Sequence, residues 1–138
     1  MRIMAIDYGK KRVGIAISDS LCVISQPLLT LRAKSQKDLI ARLKCIIEEN
    51  NVGFVIVGNP LSHKGELTEM SQEIHRFLKK FRTSIDIKVK LWDERFTSRY
   101  ALKIMKDIGL KKQKDKIDQI AASIMLDEYL KSQPARTI

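Results

Sequence analysis

Short apolar runs separated by turn residues open the chain. One run extends from Ile3 to Tyr8, and a second, Val13 to Ser18, follows the turn-forming Gly9. A third extended segment, Leu21 to Leu31, contains Pro27, which suits an edge or bulged strand because proline donates no ladder hydrogen bond. The pattern predicts three antiparallel strands in a meander.

Helical periodicity begins in the next part of the chain. Apolar residues from Leu39 to Ile47 recur at helical spacing, and Ser35 with Asp38 has the pattern of a capping box. The apolar run from Val52 to Val57 is typical of a parallel strand covered on both faces. An apolar stripe from Leu67 to Phe81 then predicts a second helix.

One more strand and two more helices complete the pattern. Apolar and charged residues alternate from Ile85 to Leu91, as in a strand with one solvated face. Thr97 or Ser98 can begin a short helix that Gly109 ends. A last helix, about Asp115 to Lys131, is expected to bury four apolar residues: Ile117, Ala121, Ile124 and Leu130. Residues 132–138 form a polar tail that we expect to fray.

This order of elements predicts an α/β fold, a mixed sheet flanked by helices. The later strands require right-handed crossovers, and function in such sheets usually gathers at the carboxyl ends of the parallel strands. With 138 residues, 44% of them hydrophobic, the chain is long enough for one buried core. We therefore expect a single domain over residues 1–138.

The net charge of the chain indicates a class of binding partner. The 26 Lys and Arg residues against 16 Asp and Glu give a net charge of +10, which attracts polyanions and favours nucleic acid, although a basic surface can also serve solubility alone. Cys22 and Cys45 lack the spacing of a zinc site or a disulfide framework. No apolar stretch approaches the roughly 18 residues of a membrane span. These features predict a soluble cytoplasmic protein.

Two acidic residues are expected to face the interior of the protein, where a carboxylate is unusual. Asp7 ends a strand expected to be buried on both faces, where an ionised group is costly unless a cation compensates it; a turn aspartate is the alternative. Asp118 begins the last helix, where the helix dipole alone can account for it. It shares a helix face with Ala121, Ala122 and Met125, however, which directs it towards the sheet.

A third acid is expected at the end of the last strand. Asp93 and Glu94 are adjacent, so they point to opposite faces, and strand parity alone leaves open which one enters the site. An ion pair with Arg95 is the alternative for either residue. Oxygen ligands of this kind suit Mg²⁺ or Mn²⁺, which can clamp the attacking and leaving oxygens of a phosphodiester.

Four segments together resemble a known family. They are DYGKKRVGIAISD (residues 7–19), GNPLSHKG (58–65), DERFTS (93–98) and DQIAASIMLDEYL (118–130). They resemble the YqgF family, relatives of the RuvC Holliday-junction resolvases in the ribonuclease H-like superfamily. The second segment departs from the usual GLPLNxxG pattern at Asn59 and Ser62.

The resemblance implies both a fold and an activity. The expected fold is a ribonuclease H-like, five-stranded mixed sheet, three antiparallel strands then two parallel, with Asp7, Glu94 and Asp118 as catalytic residues that bind Mg²⁺ or Mn²⁺. Asp115 is a candidate fourth acid. The implied activity is a nuclease that matures the precursor of small-subunit (16S) ribosomal RNA; the alternative is a Holliday junction resolvase acting on DNA.

Basic residues flank the expected metal site. They are Lys10, Lys11, Arg12, Arg95, Lys111, Lys112 and Lys114. Contact with the phosphate backbone is the functional interpretation, because such contacts position nucleic acid without reading its sequence. Solvated turn lysines are the alternative.

Other classes of function compete with a nuclease. Actin-like ATPases and sugar kinases also begin with an Asp-x-Gly hairpin, but they close two domains around a nucleotide and 138 residues supply one. A non-catalytic nucleic-acid-binding protein remains an alternative function. The sequence also does not distinguish a monomer from a homodimer.

Overall fold

The structure is a computed structural model that describes residues 1–60, 64–93 and 114–133. Its elements in chain order are β1 (Arg2–Asp7), β2 (Val13–Ser18), β3 (Ser25–Leu31), α1 (Gln36–Glu49), β4 (Val52–Asn59), α2 (Glu69–Ser84), β5 (Lys88–Asp93) and α3 (Lys114–Ser132). The predicted short helix between residues 97 and 109, and the site residues Glu94, Arg95, Lys111 and Lys112, lie outside the described residues.

The five strands form one mixed sheet in the order β3-β2-β1-β4-β5. The first three are antiparallel neighbours, whereas β4 pairs parallel with β1 and β5 parallel with β4. This confirms the predicted sheet of three antiparallel and two parallel strands. β1 lies at its centre, and all its residues after Arg2 are buried.

Side-chain alternation along the strands separates two apolar cores. On one face, Met4 and Ile6 of β1 join the buried residues of α1 and α2. On the other face, Ile3 and Ala5 pack in a smaller core with α3 residues such as Met125. Successive residues of a strand therefore belong to different environments, as strand geometry requires.

The edge strand β3 confirms the role predicted for Pro27. The register shifts between Ile15 and Ala16 of β2, and Ala16 pairs with Pro27. The predicted strand was too long at its start, because β3 begins at Ser25. The preceding loop is held instead by the Asp19 carboxylate, which accepts hydrogen bonds from the Val23 and Ile24 backbone N–H groups at 2.7 and 2.9 Å.

The helix caps explain where two other predictions failed. Ser35 caps α1 as predicted, its hydroxyl accepting from the Asp38 N–H at 3.1 Å. Leu67 lies outside the second helix and is 59% exposed, because Thr68 is the N-cap of α2. Ile85 is the C-cap of α2 and its N–H donates to Phe81, so β5 begins only at Lys88.

Helix α3 covers one face of the sheet with small and apolar residues. Ile117 and Ala121 are buried as predicted, but Ile124 and Leu130 are only half-buried, so that part of the prediction was wrong. The buried stripe instead follows a face that includes Asp118, and its other members are Ala122, Met125, Leu126 and Tyr129. No helix within the described ranges combines the length and apolar character of a membrane span.

Candidate active site

Asp7 is the last residue of the central strand and is 6% exposed. Its cross-strand partner on β2 is Gly14, and such partners project to the same face of a sheet. Ile3 and Ala5, four and two residues earlier, belong to the core beneath α3. Asp7 therefore projects to the α3 face, where a buried carboxylate requires compensation.

Gly14 allows α3 to approach this face closely. A Cβ atom at Gly14 would overlap the backbone carbonyl of Asp118, so only glycine leaves room for the first turns of the helix. Asp118 thus lies over the residue that pairs with Asp7. Two acids far apart in sequence therefore lie on the same face of the sheet, at the carboxyl end of the central strand.

Arg12 is the cation that the structure brings to Asp118. Its Nε atom donates to Oδ2 of Asp118 at 2.6 Å, and the two side chains are 14% and 10% exposed. The sequence predicted Arg12 only as one of several phosphate-binding residues. Strand spacing gave no signal for this pair, because Arg12 belongs to a turn whose shape the sequence does not fix.

Asp115 stands at the rim of this arrangement. Its side chain is 47% exposed and accepts from Nη2 of Arg32 at 2.7 Å. A longer separation of 3.9 Å joins it to Nε of Arg12. Its backbone carbonyl accepts from the Thr30 hydroxyl, which anchors the start of α3 to the edge strand β3.

The predicted lysines within the described ranges lie on the segments that carry the two acids. Lys10 and Lys11 are exposed in the turn between β1 and β2. Lys114 is half-buried as the first residue of α3. The turn lysines also line a pocket of about 160 Å³ on the α1 side of the sheet.

Tyr8, the residue after Asp7, points into that opposite face. Its hydroxyl accepts from Nε2 of Gln36 at 3.1 Å and donates to Oε1 of Glu73 at 3.2 Å. Burial raises the pKa of Tyr8 above its ordinary value, and the nearby Glu73 carboxylate acts in the same direction. Sequence reasoning missed this network, because its members come from three separate elements.

The last two residues of β5, Trp92 and Asp93, project to opposite faces of the sheet. Asp93 pairs with Asn59 of β4, whose Oδ1 accepts from the Ser71 hydroxyl of α2 at 2.6 Å. Trp92 instead belongs to the core beneath α3, with its ring 5.4 Å from that of Tyr129. Asp93 therefore projects to the α1 and α2 face, away from Asp7 and Asp118.

The donor chemistry of the site fits hard divalent cations. Both buried acids offer carboxylate oxygens, the ligands that Mg²⁺ and Mn²⁺ prefer. Within the part of the chain that the structure describes, no three His, Cys, Asp or Glu side chains form a metal-binding group. The predicted third ligand, Glu94, lies outside that part.

Comparison with known proteins gives the family. A model of the family described as "RuvX: Holliday junction resolvase" matches residues 1–132. The chain belongs to the RuvX family. The resemblance to the YqgF family, the same group under another name, is thereby confirmed.

Curated RuvX relatives match this chain over nearly its whole length. A protein of Thermoanaerobacter pseudethanolicus is 40% identical over 136 residues, which cover 96% of this chain and 98% of the relative. A protein of Chloroflexus aurantiacus is 38% identical, with 98% and 92% covered. Both carry the name "Putative pre-16S rRNA nuclease".

Solved structures share the RuvX fold. RuvC of Thermus thermophilus, solved in complex with a Holliday junction substrate, has a TM-score of 0.57 and 14% identity, with 94% of this chain and 93% of that chain covered. The fowlpox virus Holliday junction resolvase has a TM-score of 0.55 and 21% identity, with 96% and 100% covered. At these identities the likeness concerns the fold, and it confirms the ribonuclease H-like class predicted from the sequence.

Proposed function

We propose that this chain is a divalent-metal-dependent nuclease that matures the precursor of 16S ribosomal RNA in the cytoplasm, with Asp7, Glu94 and Asp118 as its catalytic residues. The observation that carries the proposal is the placement of Asp7 and Asp118, both buried, on the same face of the sheet at the carboxyl end of the central strand. Membership of the RuvX family and the name carried by the curated relatives support the substrate.

Each acid is held on a rigid element, as a metal site requires. Asp7 is fixed by the strand ladder and Asp118 by a helix that packs against β2. Bound Mg²⁺ or Mn²⁺ would supply charge stabilisation for the phosphodiester and an activated water. The protein's own contribution is to present carboxylate oxygens in a site that α3 shields from solvent on one side.

The choice of Glu94 over Asp93 has support from strand alternation. Asp93 projects to the face of α1 and α2, and adjacent residues of a strand point to opposite faces. We therefore assign the third ligand to Glu94. If Asp93→Asn abolished cleavage in a folded protein while Glu94→Gln preserved it, the assignment would be reversed.

Substrate phosphates would be held by the basic residues around the acids. Lys10 and Lys11 are exposed on the turn that follows Asp7, and Lys114 begins the helix that carries Asp118. Arg95, Lys111 and Lys112 complete the proposed set. Asp115 has a surface ion pair with Arg32, which favours a role in anchoring α3 over metal binding.

The proposal is tested by offering the purified protein three substrates: a transcript spanning the ends of 16S ribosomal RNA, a four-way DNA junction and a linear DNA duplex. We expect cleavage of the transcript in Mg²⁺ or Mn²⁺, and none in excess chelator or with Asp7→Asn. Full activity in chelator would contradict the metal requirement.

The same assay separates the alternatives. Cleavage of the junction with the transcript left intact would favour a resolvase, the activity that the family description names. Binding of all three substrates without cleavage of any, in either ion, would favour a non-catalytic nucleic-acid-binding protein.

A further inference from the structure

Arg12 already supplies a positive charge to one of the proposed ligands. The hydrogen bond from its Nε atom to Asp118 is 2.6 Å long, and both side chains are largely shielded from water. Charge-assisted bonds of this length are strong, and shielding from solvent strengthens them further. In this structure Arg12 therefore compensates the charge of Asp118.

Arg12 also belongs to the turn that carries the proposed phosphate-binding lysines. Lys10 and Lys11 precede it directly and are exposed, whereas Arg12 is turned inwards to the acid. The guanidinium is the group best suited to bidentate contact with phosphate. While its Nε–H is donated to Asp118, that donor is not offered to a substrate.

Two potential partners of Arg12 thus exclude each other. A divalent ion on Asp118 competes with the guanidinium for the same carboxylate and repels it. A phosphate beside Lys10 and Lys11 attracts it in the opposite direction. The Arg12 side chain therefore has a favourable partner both at Asp118 and at a substrate phosphate. Whether an ion is bound to Asp118 decides which of the two it contacts.

We propose that Arg12 is a positioning residue that exchanges between Asp118 and a substrate phosphate, and so couples divalent-ion binding to nucleic-acid binding. This inference rests on the proposed function. Without the ion, Arg12 neutralises Asp118 and restrains α3. When the carboxylate takes an ion, Arg12 leaves it and joins the lysines of its turn. By linkage, each ligand then increases the affinity of the protein for the other.

The first test measures Mn²⁺ affinity of the full chain by calorimetry, without nucleic acid. Arg12→Gln is expected to bind Mn²⁺ about tenfold more tightly than the unmodified protein, a size typical of coupling between sites. The matched control is Lys37→Gln, which removes the same charge from an exposed position on α1, outside the proposed phosphate-binding residues. Because solvent screens that charge, a change below about twofold is expected. Asp118→Asn should weaken the same binding event, which identifies the titrated site.

The second test follows thermal unfolding with and without Mn²⁺. Arg12→Gln removes the guanidinium that bonds Asp118, so the Tm of this variant should fall in the absence of the ion. When Mn²⁺ is added, the Tm of the variant should rise by more than that of the unmodified protein. If Arg12→Gln does not fold, Arg12→Lys replaces it. Lysine keeps the charge but lacks the guanidinium, so Arg12→Lys should bind Mn²⁺ more tightly than the unmodified protein, though by less than about tenfold. Mn²⁺ should also raise the Tm of Arg12→Lys by more than it raises that of the unmodified protein.

The third test measures the proposed coupling directly. Binding of a short fluorescent RNA duplex is followed by stopped flow, before cleavage, with and without Mn²⁺. The ion should strengthen binding severalfold more for the unmodified protein than for Arg12→Gln, while Lys37→Gln keeps the full effect of the ion.

The outcomes separate this inference from the function beneath it. If the unmodified protein binds Mn²⁺ through Asp118 but Arg12→Gln binds it no more tightly than Lys37→Gln does, the exchange is refuted and the nuclease proposal stands. If no Mn²⁺ binding depends on Asp7 or Asp118, the proposed metal site fails and the exchange fails with it.

Discussion

The two faces of the sheet at the end of β1 use opposite chemistry. On the α3 face, Asp7 and Asp118 are buried carboxylates, and Arg12 provides positive charge. On the face of α1 and α2, the Tyr8 hydroxyl bonds Gln36 and Glu73. Asp7 and Tyr8 are adjacent in the sequence, yet their side chains have entirely different surroundings.

The difference shows what burial demands of each group. A hydroxyl or an amide is satisfied by one or two hydrogen bonds, which neighbouring helices readily supply. A carboxylate also needs opposite charge, because its desolvation is far more costly. The buried carboxylates therefore give the α3 face a physical reason to bind cations that the Tyr8 hydroxyl and the Gln36 amide do not give the other face.

The largest expected effect compares one acid from each face. Asp118→Asn should lower single-turnover cleavage by about 10³-fold or more, since several kcal/mol of metal-based stabilisation are lost. Nucleic-acid affinity should stay within a modest factor, because phosphates are held by the basic residues. Asp93→Asn, on the opposite face, should leave cleavage almost unchanged. Equal losses in two folded variants, as judged by circular dichroism, would remove the distinction between the faces.

A smaller effect is expected from the basic residues that lie close to Asp7 and Asp118 in the sequence. Replacing Lys10, Lys11, Lys112 and Lys114 with Gln should weaken binding and flatten its salt dependence, by about 0.9 slope unit per lost contact for a duplex and about 0.7 for a single strand. Cleavage at saturating substrate should survive.

The control for this variant removes four exposed lysines from elsewhere on the surface: Lys44, Lys79, Lys80 and Lys88. The net charge changes equally in both variants, so affinity across a salt series isolates the position of the lysines. Identical slopes in the two variants would refute a local phosphate-binding surface.

The approach of α3 to the sheet gives the third prediction. Gly14→Ala should lower the free energy of unfolding by about 1–3 kcal/mol, because the new methyl group overlaps the backbone of Asp118 and overpacked sites shift. At Gly53 a methyl group meets only the Met1 side chain, which can move, so Gly53→Ala should cost less than about 0.5 kcal/mol. Urea unfolding of both variants makes the comparison, and equal stabilities would show that α3 adjusts without cost.

The smallest expected effect concerns Tyr8 on the opposite face. Its pKa is raised in the folded protein, so the folded state binds the proton more tightly than the unfolded state does. The resulting stability is fully present below the ordinary value of 10.0 and is lost as the pH rises through the folded pKa. Urea unfolding between pH 8 and pH 11 should show a steeper alkaline loss for the unmodified protein than for Tyr8→Phe. Parallel curves would contradict the shift.

The sequence predicted the strands and helices well where a single period was unbroken. Val13 to Ser18 has the bounds seen in β2, and Ser35 was recognised as a cap because capping is a local interaction. The predicted bounds were wrong where a cap or a tertiary contact sets the end of an element. Leu67 lies before the Thr68 N-cap and so outside α2, and Ile85 is the C-cap of α2 and so outside β5.

The candidate site was predictable only in part for the same reason. Burial of Asp7 and the inward direction of Asp118 followed from periodicity. The pairing of Arg12 with Asp118, and the contact of Gly14 with the helix, depend on how a turn and a distant helix meet, which no periodicity encodes. Parity also left open whether Asp93 or Glu94 faces the site, because parity alone does not say which face of the sheet α3 covers.

The position of α3 in the chain has a consequence for the newly made protein. Its partners on the sheet, such as Ile3, Ala5 and Ala16, are synthesised long before the helix that covers them. Because chains emerge from the ribosome in order, this apolar face stays uncovered until Met125 and Leu126 follow. Asp118 arrives with the same helix, so the proposed site cannot assemble before residues 114–132 have been synthesised and have folded onto the sheet.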